Sequence, residues 1–385
     1  MTPYVRYFGL TKVLLVAPAP PPSGGIATWT ATIMPRLARQ KSIETKLVNS
    51  AVLVVDRNYR SYFFRLVEGV ARGVRDLAVS GVSLALFSPD VIHVCSSAGY
   101  GSLRDLALTL MSRIFGVKVF IHFHTGVIPD YQGRKSLPAV ACRATTRLAY
   151  RVFALDGETV AYLEKVSDTP VVLLPNMIDI ATTKSIAASH GSPLPRIVPG
   201  PGLQPFVRLI YVGSVRPTKG LDDLLSACAR IQGVRLDIVG HTRRAYQSHL
   251  QTIARLRDGG DWLTFHGPMN QTTLFRILAN SDILVLPSHS EGFPYAVLEA
   301  MALGIPVVVT SVGALPDIVA ENGDYPCGIC VPPGDGTALG DALTRLIKRP
   351  EQRLMMGKNG TERVLAFDVD VIVPKFVAYW TGSSG

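Results

Sequence analysis

One block of this sequence constrains the fold more than any other: two short apolar runs with a helix-like segment between them. The runs are residues 283–287 and 305–309, and each has the length and composition of a buried strand. The pattern places Pro294 at the first helical position, where a missing N–H does no harm. Because two strands joined by a helix lie parallel in one sheet, the block predicts a βαβ unit of an α/β domain.

The start of this predicted helix carries two carboxylates. Glu291 lies just before the helix and Glu299 lies inside it. A helix start behind a strand binds anions well, since its first backbone N–H groups lack partners within the helix and its dipole is positive there. Carboxylates repel phosphate, but they accept hydrogen bonds from hydroxyl groups. The combination indicates a ligand that has both phosphates and sugar hydroxyls, such as a nucleotide sugar.

Strand-like and helix-like segments alternate along the whole chain, with one interruption. The alternation runs from residue 12 to residue 174 and resumes at residue 209. Residues 190–204, between the two stretches, are rich in Pro and Gly and have no period. This pattern predicts two α/β domains, each with a doubly wound parallel sheet. The expected ranges are 1–180 for the first domain, 181–207 for a linker, 208–366 for the second domain and 367–385 for a C-terminal helix.

The composition excludes several classes of protein. Hydrophobic residues make up 48% of the 385 and charged residues 18%, which favours buried cores over disorder. No apolar run reaches the roughly 18 residues that span a bilayer, and residues 1–10 lack the pattern of a signal peptide, so we expect a cytoplasmic protein. Five scattered cysteines are typical of reduced thiols. We predict no metal site, and we expect Cys327 and Cys330 to be buried small residues.

Positive charge is concentrated in the first half of the chain. Residues 1–195 hold 21 Lys and Arg against 12 Asp and Glu, whereas residues 196–385 hold 18 against 17. This predicts an anionic partner. No basic run interleaved with aromatic residues occurs, which disfavours nucleic acid and leaves a pyrophosphate-linked acceptor or an anionic membrane surface. Residues 59–65 mix aromatic residues with arginines and fit a helix on a bilayer, but a helix that covers the domain edge explains them equally well.

Residues 283–319 resemble the retaining glycosyltransferases of the GT4 family (glycosyl transferases group 1), which have the GT-B fold. Glu291 and Glu299 have the spacing of that family's E-x7-E motif, and the text EGFPYAVLEAMALGIPVVVTSVGALPDIV agrees with the family around them. The resemblance implies two Rossmann-like domains that face each other across a cleft, with the C-terminal helix crossing back to the first domain. It also implies transfer of a sugar from a nucleotide diphosphate sugar to an acceptor hydroxyl, with retention of the anomeric configuration.

The resemblance assigns catalytic roles to four residues. Family members grip the donor diphosphate with an arginine and a lysine, which stabilise the charge of the leaving group. Lys219 matches that lysine, while Ser214 occupies the usual arginine position and Arg216 is expected to replace it. Glu291 is expected to face the donor sugar. His124, at the end of a strand in the first domain, resembles the histidine that the family places near the donor sugar and the acceptor.

Further residues are expected to bind the donor. Glu299 would accept hydrogen bonds from both ribose hydroxyls, and the strand end at Gly267 and Met269 would bind the base through backbone groups. Gly24 and Gly25 would allow the first loop to approach the phosphates closely. The resemblance places in the donor site Gly24, Gly25, Ser214, Gly267, Met269, Gly292, Phe293, Pro294, Tyr295, Ala296 and Glu299.

The resemblance also limits cofactors and setting. It implies no obligatory metal or other cofactor, favours a UDP-sugar over a GDP-sugar, and points to a lipid-linked or glycan acceptor in bacterial polysaccharide, lipopolysaccharide or glycolipid assembly, on the inner face of the cytoplasmic membrane. Asp368 and Asp370 spell a DxD metal motif, but they lie far from the nucleotide motifs. Two alternatives stay open. One is a nucleotide-sugar epimerase, an enzyme of another class on the same GT-B fold. The other is a non-catalytic nucleotide-sugar-binding subunit, because Ser214 and Met177 depart from the family pattern.

Overall fold

The structure, a computed structural model, describes residues 10–21, 24–51, 62–189, 206–320 and 323–383. The chain divides into two compact units, Met1–Met177 with Val369–Gly385 and Ile178–Asp368. Within the described residues, each unit contains one six-stranded sheet in which all neighbouring strands are parallel. The prediction of two doubly wound α/β domains is confirmed.

The first unit is built from alternating strands and helices. Its elements are β1 (Thr11–Ala17), α1 (Gly25–Leu37), β2 (Ile43–Asn49), α2 (Tyr62–Phe87), β3 (Val91–Ser96), α3 (Gly101–Ile114), β4 (Lys118–Phe123), α4 (Leu137–Leu148), β5 (Arg151–Ala154), α5 (Gly157–Val166) and β6 (Val171–Leu173). The strand order is β2-β1-β3-β4-β5-β6. β1, β3 and β4 are buried along almost their whole length, because helices cover both faces of a parallel sheet.

The second unit repeats this architecture. Its elements are α6 (Ile180–Ala188), β7 (Val207–Val212), α7 (Leu221–Cys228), β8 (Val234–Val239), α8 (Arg244–Ala254), β9 (Leu263–Gly267), α9 (Gln271–Ala279), β10 (Ile283–Leu286), α10 (Tyr295–Ala302), β11 (Val307–Thr310), α11 (Leu315–Val319), β12 (Gly328–Val331), α12 (Gly336–Lys348) and α13 (Pro350–Arg363). The strand order is β12-β11-β10-β7-β8-β9. The βαβ unit predicted from residues 283–309 is β10-α10-β11.

Each sheet has one place where the strand order reverses. In the first unit the reversal lies between β1 and β3, and in the second it lies between β7 and β10. The loops that leave two such strands diverge to opposite faces of the sheet, which opens a crevice at the carboxyl ends of the strands. In the second unit, the loops after β7 and β10 hold most of the residues predicted to bind the donor.

The last helix, α14 (Val369–Thr381), belongs to the first unit although it follows the second in the sequence. It packs against α1 and β1, and its Phe376 and Trp380 are buried. Arg36 on α1 donates through Nε to an Asp370 oxygen at 3.3 Å. Apolar residues on one face of α14 therefore complete the core of the first unit.

The range 181–207, expected to be a linker, contains more regular structure than predicted. α6 occupies its first part and packs against α9 and α10, and β7 begins at Val207. Asp179 caps α6, since its side chain accepts a hydrogen bond from the backbone N–H of Thr182 at 3.0 Å. The helical pattern of α6 is short and adjoins a Pro- and Gly-rich segment, so it was not recognised from the sequence. Residues 190–205 lie outside the described residues.

The structure bears on three further expectations, which concern membrane contact, membrane-spanning helices and the burial of two cysteines. Residues 59–61 lie outside the described part of the chain, and the side chains of 62–66 are not described, so membrane contact by residues 59–65 stays a prediction. Within the described ranges, every helix is either too short or too polar to cross a membrane. Cys327 is buried as expected, and Cys330 is half-buried.

Candidate functional site

The predicted donor residues of the second unit converge on the crevice between β7 and β10. The register pairs Leu209 of β7 with Ile283 of β10, so both strands end at the same edge of the sheet. The loop after β7 carries Arg216 and Lys219, and the loop after β10 carries Ser288 and Glu291. We call these four residues the switch-point cluster.

An ion pair forms the centre of the switch-point cluster. The Lys219 ammonium donates through Nζ to Glu291 Oε1 at 2.6 Å, and the Ser288 hydroxyl donates to the same oxygen at 2.7 Å. The Lys219 and Glu291 side chains are 15% and 14% exposed, so a ligand can still reach both. The structure thus brings together a cation and an acceptor of hydrogen bonds, the two chemistries that a sugar diphosphate requires.

Backbone contacts lock the two loops to each other. Gly220, which follows Lys219, has a φ of +65°, and a Cβ at this position would lie 1.9 Å from the carbonyl oxygen of Pro287. Only glycine fits this approach. The N–H of His289 donates to the Thr218 carbonyl at 3.0 Å, and its ring lies 3.0 Å from Asp223. The position of the Lys219 side chain is therefore defined by both loops.

Arg216 occupies the edge of the cluster. Its Nε donates to the Ser214 hydroxyl at 3.1 Å, and the Ser214 carbonyl accepts from the Tyr211 hydroxyl at 2.9 Å. Burial raises the pKa of Tyr211, the Glu291 charge raises it further, and the Arg216 charge opposes them. Ser214, which replaces the family arginine, thus holds the exposed Arg216 on the loop of Lys219.

The helix start differs from the prediction in one residue. Pro294 is the residue before α10, with a φ of −78° and an extended ψ of 123°, so the helix begins at Tyr295 rather than at Pro294. A proline fits the extended residue before a helix as well as it fits the first helical position. The sequence pattern therefore placed the start of the helix one residue too early. The N–H groups at the start of α10 are those of Tyr295 and Ala296, and helix geometry directs them outward.

Glu299 lies inside α10 and is only 8% exposed. Burial raises its pKa to about 7 because desolvation disfavours the charged form. A carboxyl group with this pKa changes charge near neutral pH. Hydrogen bonds that ligand hydroxyls donate to Glu299 would favour its ionised form and so lower its pKa.

Gly313, in the loop after β11, also supports the site, although no prediction named it. Its φ is +54°, and a Cβ there would lie 2.2 Å from the carbonyl oxygen of Glu291. The next residue, Ala314, donates its N–H to the Gly292 carbonyl at 3.1 Å. The backbone that presents Glu291 thus rests on this loop. Ser288 was missed as well, although it directly follows the apolar run of residues 283–287.

Gly267 and Met269 lie farther from the cluster in the sheet, whereas Phe293 lies in the same loop as Glu291. Gly267 ends β9, two strands from β7, and its carbonyl accepts from the Gly240 N–H at 2.9 Å. Met269 follows it and is half-buried. The Phe293 ring is buried and packs edge-on against Phe367, 5.5 Å between centroids, so Phe293 can reach a ligand only through its backbone.

Gly24 and Gly25 lie at the corresponding place in the first unit, after β1. Gly24 precedes α1 and accepts from the Thr28 N–H at 2.8 Å, and Gly25 is the first helical residue. A Cβ at either position would meet none of the described residues within 4 Å. The two glycines leave open space at a helix start, as close approach of a ligand requires.

His124 follows β4 in the first unit. Its N–H donates to the Ser96 carbonyl at 2.9 Å, and its ring centroid lies 3.8 Å from that of His122 and 5.3 Å from that of Trp29. Burial lowers the pKa of His124 to about 3, with Asn176 acting in the opposite direction. The imidazole is therefore neutral at physiological pH and can act in hydrogen bonds, but not as a cation.

Part of the chain matches a known protein family. Residues 205–363 match the family described as Glycosyl transferases group 1. A similar sequence is the D-inositol 3-phosphate glycosyltransferase of Mycolicibacterium smegmatis, 36% identical over 115 residues, which are 29% of this chain and 26% of that protein. The chain thus spans about a quarter of this relative's length. Arg216, Lys219, Glu291 and Glu299 all lie within the matched family range.

Solved structures resemble the chain over nearly its full length. Sucrose-phosphate synthase from Thermosynechococcus elongatus has a TM-score of 0.74 at 20% identity and covers 97% of this chain, with 99% of its own chain aligned. Anabaena HepE in complex with UDP-glucose has a TM-score of 0.71 at 16% identity, with 96% and 99% covered. These likenesses confirm the predicted GT-B fold, and residues 205–363 resemble the group 1 glycosyl transferases in sequence.

Proposed function

We propose that this protein is a retaining glycosyltransferase of the GT4 type, which moves a hexose from a nucleotide diphosphate sugar to a hydroxyl group of an acceptor. The observation that carries the proposal is the Lys219–Glu291 pair, 2.6 Å apart, at the point where the strand order of the second unit reverses. Ligands of α/β sheets bind at such points. The family match over residues 205–363 supports the same activity.

Lys219 and Arg216 supply the positive charge that the transfer needs. As the bond between the anomeric carbon and the diphosphate breaks, negative charge grows on the leaving oxygen, and a cation already in place stabilises it without reorganisation. Lys219 meets this condition, because Glu291 and the contact at Gly220 hold it. Arg216 is exposed and turns from Ser214 toward a phosphate oxygen.

The carboxylates bind hydroxyl groups of the donor. Glu291 retains a second oxygen beyond the one that Lys219 and Ser288 share, and this oxygen accepts from the donor sugar. Glu299 accepts from the two ribose hydroxyls, and backbone N–H groups at the start of α10 meet phosphate. Gly267 and Met269 provide backbone groups for the base.

The transfer itself requires no covalent enzyme intermediate. The acceptor oxygen bonds to the anomeric carbon on the face that the diphosphate leaves, and the acceptor proton passes to the leaving phosphate oxygen. His124 contributes a neutral imidazole that hydrogen-bonds to the donor sugar or the acceptor, since burial keeps its pKa at about 3. No metal ion takes part in this scheme.

The donor and setting follow from charge and from the similar proteins. We favour a UDP-sugar, since HepE was solved with UDP-glucose and aligns with 96% of this chain. The excess of Lys and Arg in residues 1–195 favours an acceptor linked to pyrophosphate or embedded in an anionic membrane surface. We place the enzyme in the cytoplasm, on the inner face of the membrane, in assembly of a bacterial polysaccharide, lipopolysaccharide or glycolipid.

A donor panel tests the proposal. UDP-, GDP- and ADP-sugars are added to the purified protein with and without lipid-linked and glycan acceptors, and released nucleotide is measured. Release that requires an acceptor, with retained configuration in the product, supports the transferase. Epimerisation of the donor without an acceptor would favour a nucleotide-sugar epimerase. Donor binding without turnover under every condition would favour a binding subunit.

A further inference from the structure

Three potential metal ligands meet in the core of the first unit, apart from the loops described above. His93 and Cys95 are two residues apart on β3, so their side chains leave the same face of the sheet. The strand register pairs Cys95 with His122 of β4. One ligand atom from each of the three residues lies within 4.8 Å of the other two. We call these residues the core cluster.

Several polar atoms of the core cluster are buried and have no hydrogen-bond partner among the residues that the structure describes. Trp380 Nε1 donates to His93 Nδ1 at 3.3 Å, which leaves His93 Nε2 with no hydrogen-bond partner. Both ring nitrogens of His122 also lack a partner, and both histidines are 0% exposed. A buried ring nitrogen without a hydrogen bond is costly. A phenylalanine, which is also flat and only slightly larger, would fill the position of His122 without this cost. Packing alone therefore does not explain a histidine here.

We propose that the core cluster binds a single soft metal ion through His93 Nε2, Cys95 Sγ and one ring nitrogen of His122. Imidazole nitrogens and a thiolate sulfur are preferred ligands of copper(I) and zinc. The two imidazoles bind as neutral ligands, and the thiol releases one proton to solvent as the sulfur–metal bond forms. Metal binding does not require the proposed transferase activity, although His122 lies beside His124, with 3.8 Å between the ring centroids.

The surroundings favour copper(I) over zinc. The walls are aromatic: Trp29 stacks on His93 at 5.5 Å, Phe376 lies 5.5 Å from His122, and Phe153 lies 5.7 Å from His93, between ring centroids. Within the described residues, no Asp or Glu joins the three ligands. One thiolate neutralises a monovalent ion, whereas Zn²⁺ would leave a net positive charge in an apolar core, which is unfavourable. Three ligands also fall short of the four that zinc prefers.

Copper(I) binding to the intact protein tests the assignment. The purified chain is titrated anaerobically with copper(I) in competition with bicinchoninate, and X-ray absorption then reports the ligands. We expect one equivalent bound, with one sulfur and two nitrogen scatterers. Cys95→Ser and His122→Phe should each lower the affinity at least tenfold. Cys142→Ser is the matched control, because Cys142 is a buried thiol of the same unit outside the core cluster.

A second measurement covers variants that fold poorly. Copper(I) should raise the melting temperature of the wild type and of Cys142→Ser, and should leave that of His122→Phe unchanged. If the variants do not fold, the X-ray absorption of the wild type tests the proposal by itself. One sulfur and two nitrogen scatterers support it, and any other set contradicts it. Failure of the wild type to compete with bicinchoninate, equal loss in Cys142→Ser, or binding of Zn²⁺ without copper(I) would overturn the assignment.

Discussion

In the second unit, Lys219 and Glu291 form a partly exposed pair whose oxygen also accepts from Ser288. In the core of the first unit, His93 and His122 are fully buried, and three of their four ring nitrogens have no hydrogen-bond partner in the described part of the chain. The first arrangement is satisfied within the protein and accessible to a ligand. The second is unsatisfied and closed to solvent. Ionisable groups thus occur in two contrasting settings, one partly exposed and paired, the other buried without hydrogen-bond partners among the described residues, and we propose a ligand for each.

Replacement of Lys219 should have the largest effect on activity. Lys219→Ala removes the cation that we propose to face the diphosphate, so we expect turnover to fall by about 10³-fold, as when a preorganised electrostatic group is removed. Initial rates with a saturating UDP-sugar measure this. Lys358→Ala, on the exposed surface of α13, is the control and should keep wild-type turnover. Wild-type rates in Lys219→Ala would remove the charge-stabilising role.

Gly220→Ala should strongly destabilise the loop that presents Lys219. A Cβ there would lie 1.9 Å from the Pro287 carbonyl oxygen, on a residue with φ +65°. We expect the free energy of unfolding to fall by about 3 kcal/mol, from strain and displacement of the loop. Gly69→Ala, in α2 with nothing within 4 Å of the added carbon, should be neutral or slightly stabilising. Equal stability of the two variants in urea titrations would contradict the loop contact.

Glu299 should make stability depend on pH. Burial raises its pKa in the folded protein to about 7, whereas the unfolded chain has the ordinary value of 4.5. The folded state therefore binds the proton more tightly. The stabilisation is fully present below pH 4.5 and is lost as pH rises through 7, which amounts to about 2 kcal/mol between pH 5 and pH 8.

The matched variant for this test is Glu299→Gln, which cannot titrate. The difference in unfolding free energy between wild type and Glu299→Gln should move against the wild type as pH rises from 5 to 8. Parallel pH curves for the two proteins would show that the carboxyl group is not desolvated. The affinity for a UDP-sugar should increase over the same range if the ionised carboxylate accepts from the ribose hydroxyls, as we propose.

The smallest effect should come from a matched pair of substitutions, one in each cluster. Ser288→Ala removes a donor from Glu291 and should lower the unfolding free energy by about 1 kcal/mol. His122→Phe removes two unpartnered nitrogens, so it should raise the unfolding free energy of the metal-free protein by about 1 kcal/mol. Denaturation in the presence of a chelator measures both. A loss of stability in metal-free His122→Phe would mean that the two clusters do not differ as described.

Much of this molecule was predictable from local patterns. Apolar runs such as those of β10 and β11 predicted buried parallel strands, and the helical pattern between them predicted α10. Pro294 was misplaced by one residue, because a proline fits both the position before a helix and the first position within it. α6 was assigned to the linker, because nine residues beside Pro-rich text carry too weak a period to identify a helix.

The sequence by itself determined the α/β alternation and identified Lys219, Glu291 and Glu299 as candidate site residues. Both depend on local features of the chain, namely the spacing of apolar residues and a family motif. Only the tertiary structure decided that Lys219 and Glu291 are paired, that Gly313 supports Glu291, and that His93 and Cys95 meet His122. These contacts join residues that are far apart in sequence, and they depend on strand order and register. Register is set by the packing of the whole sheet, so no local pattern contains it.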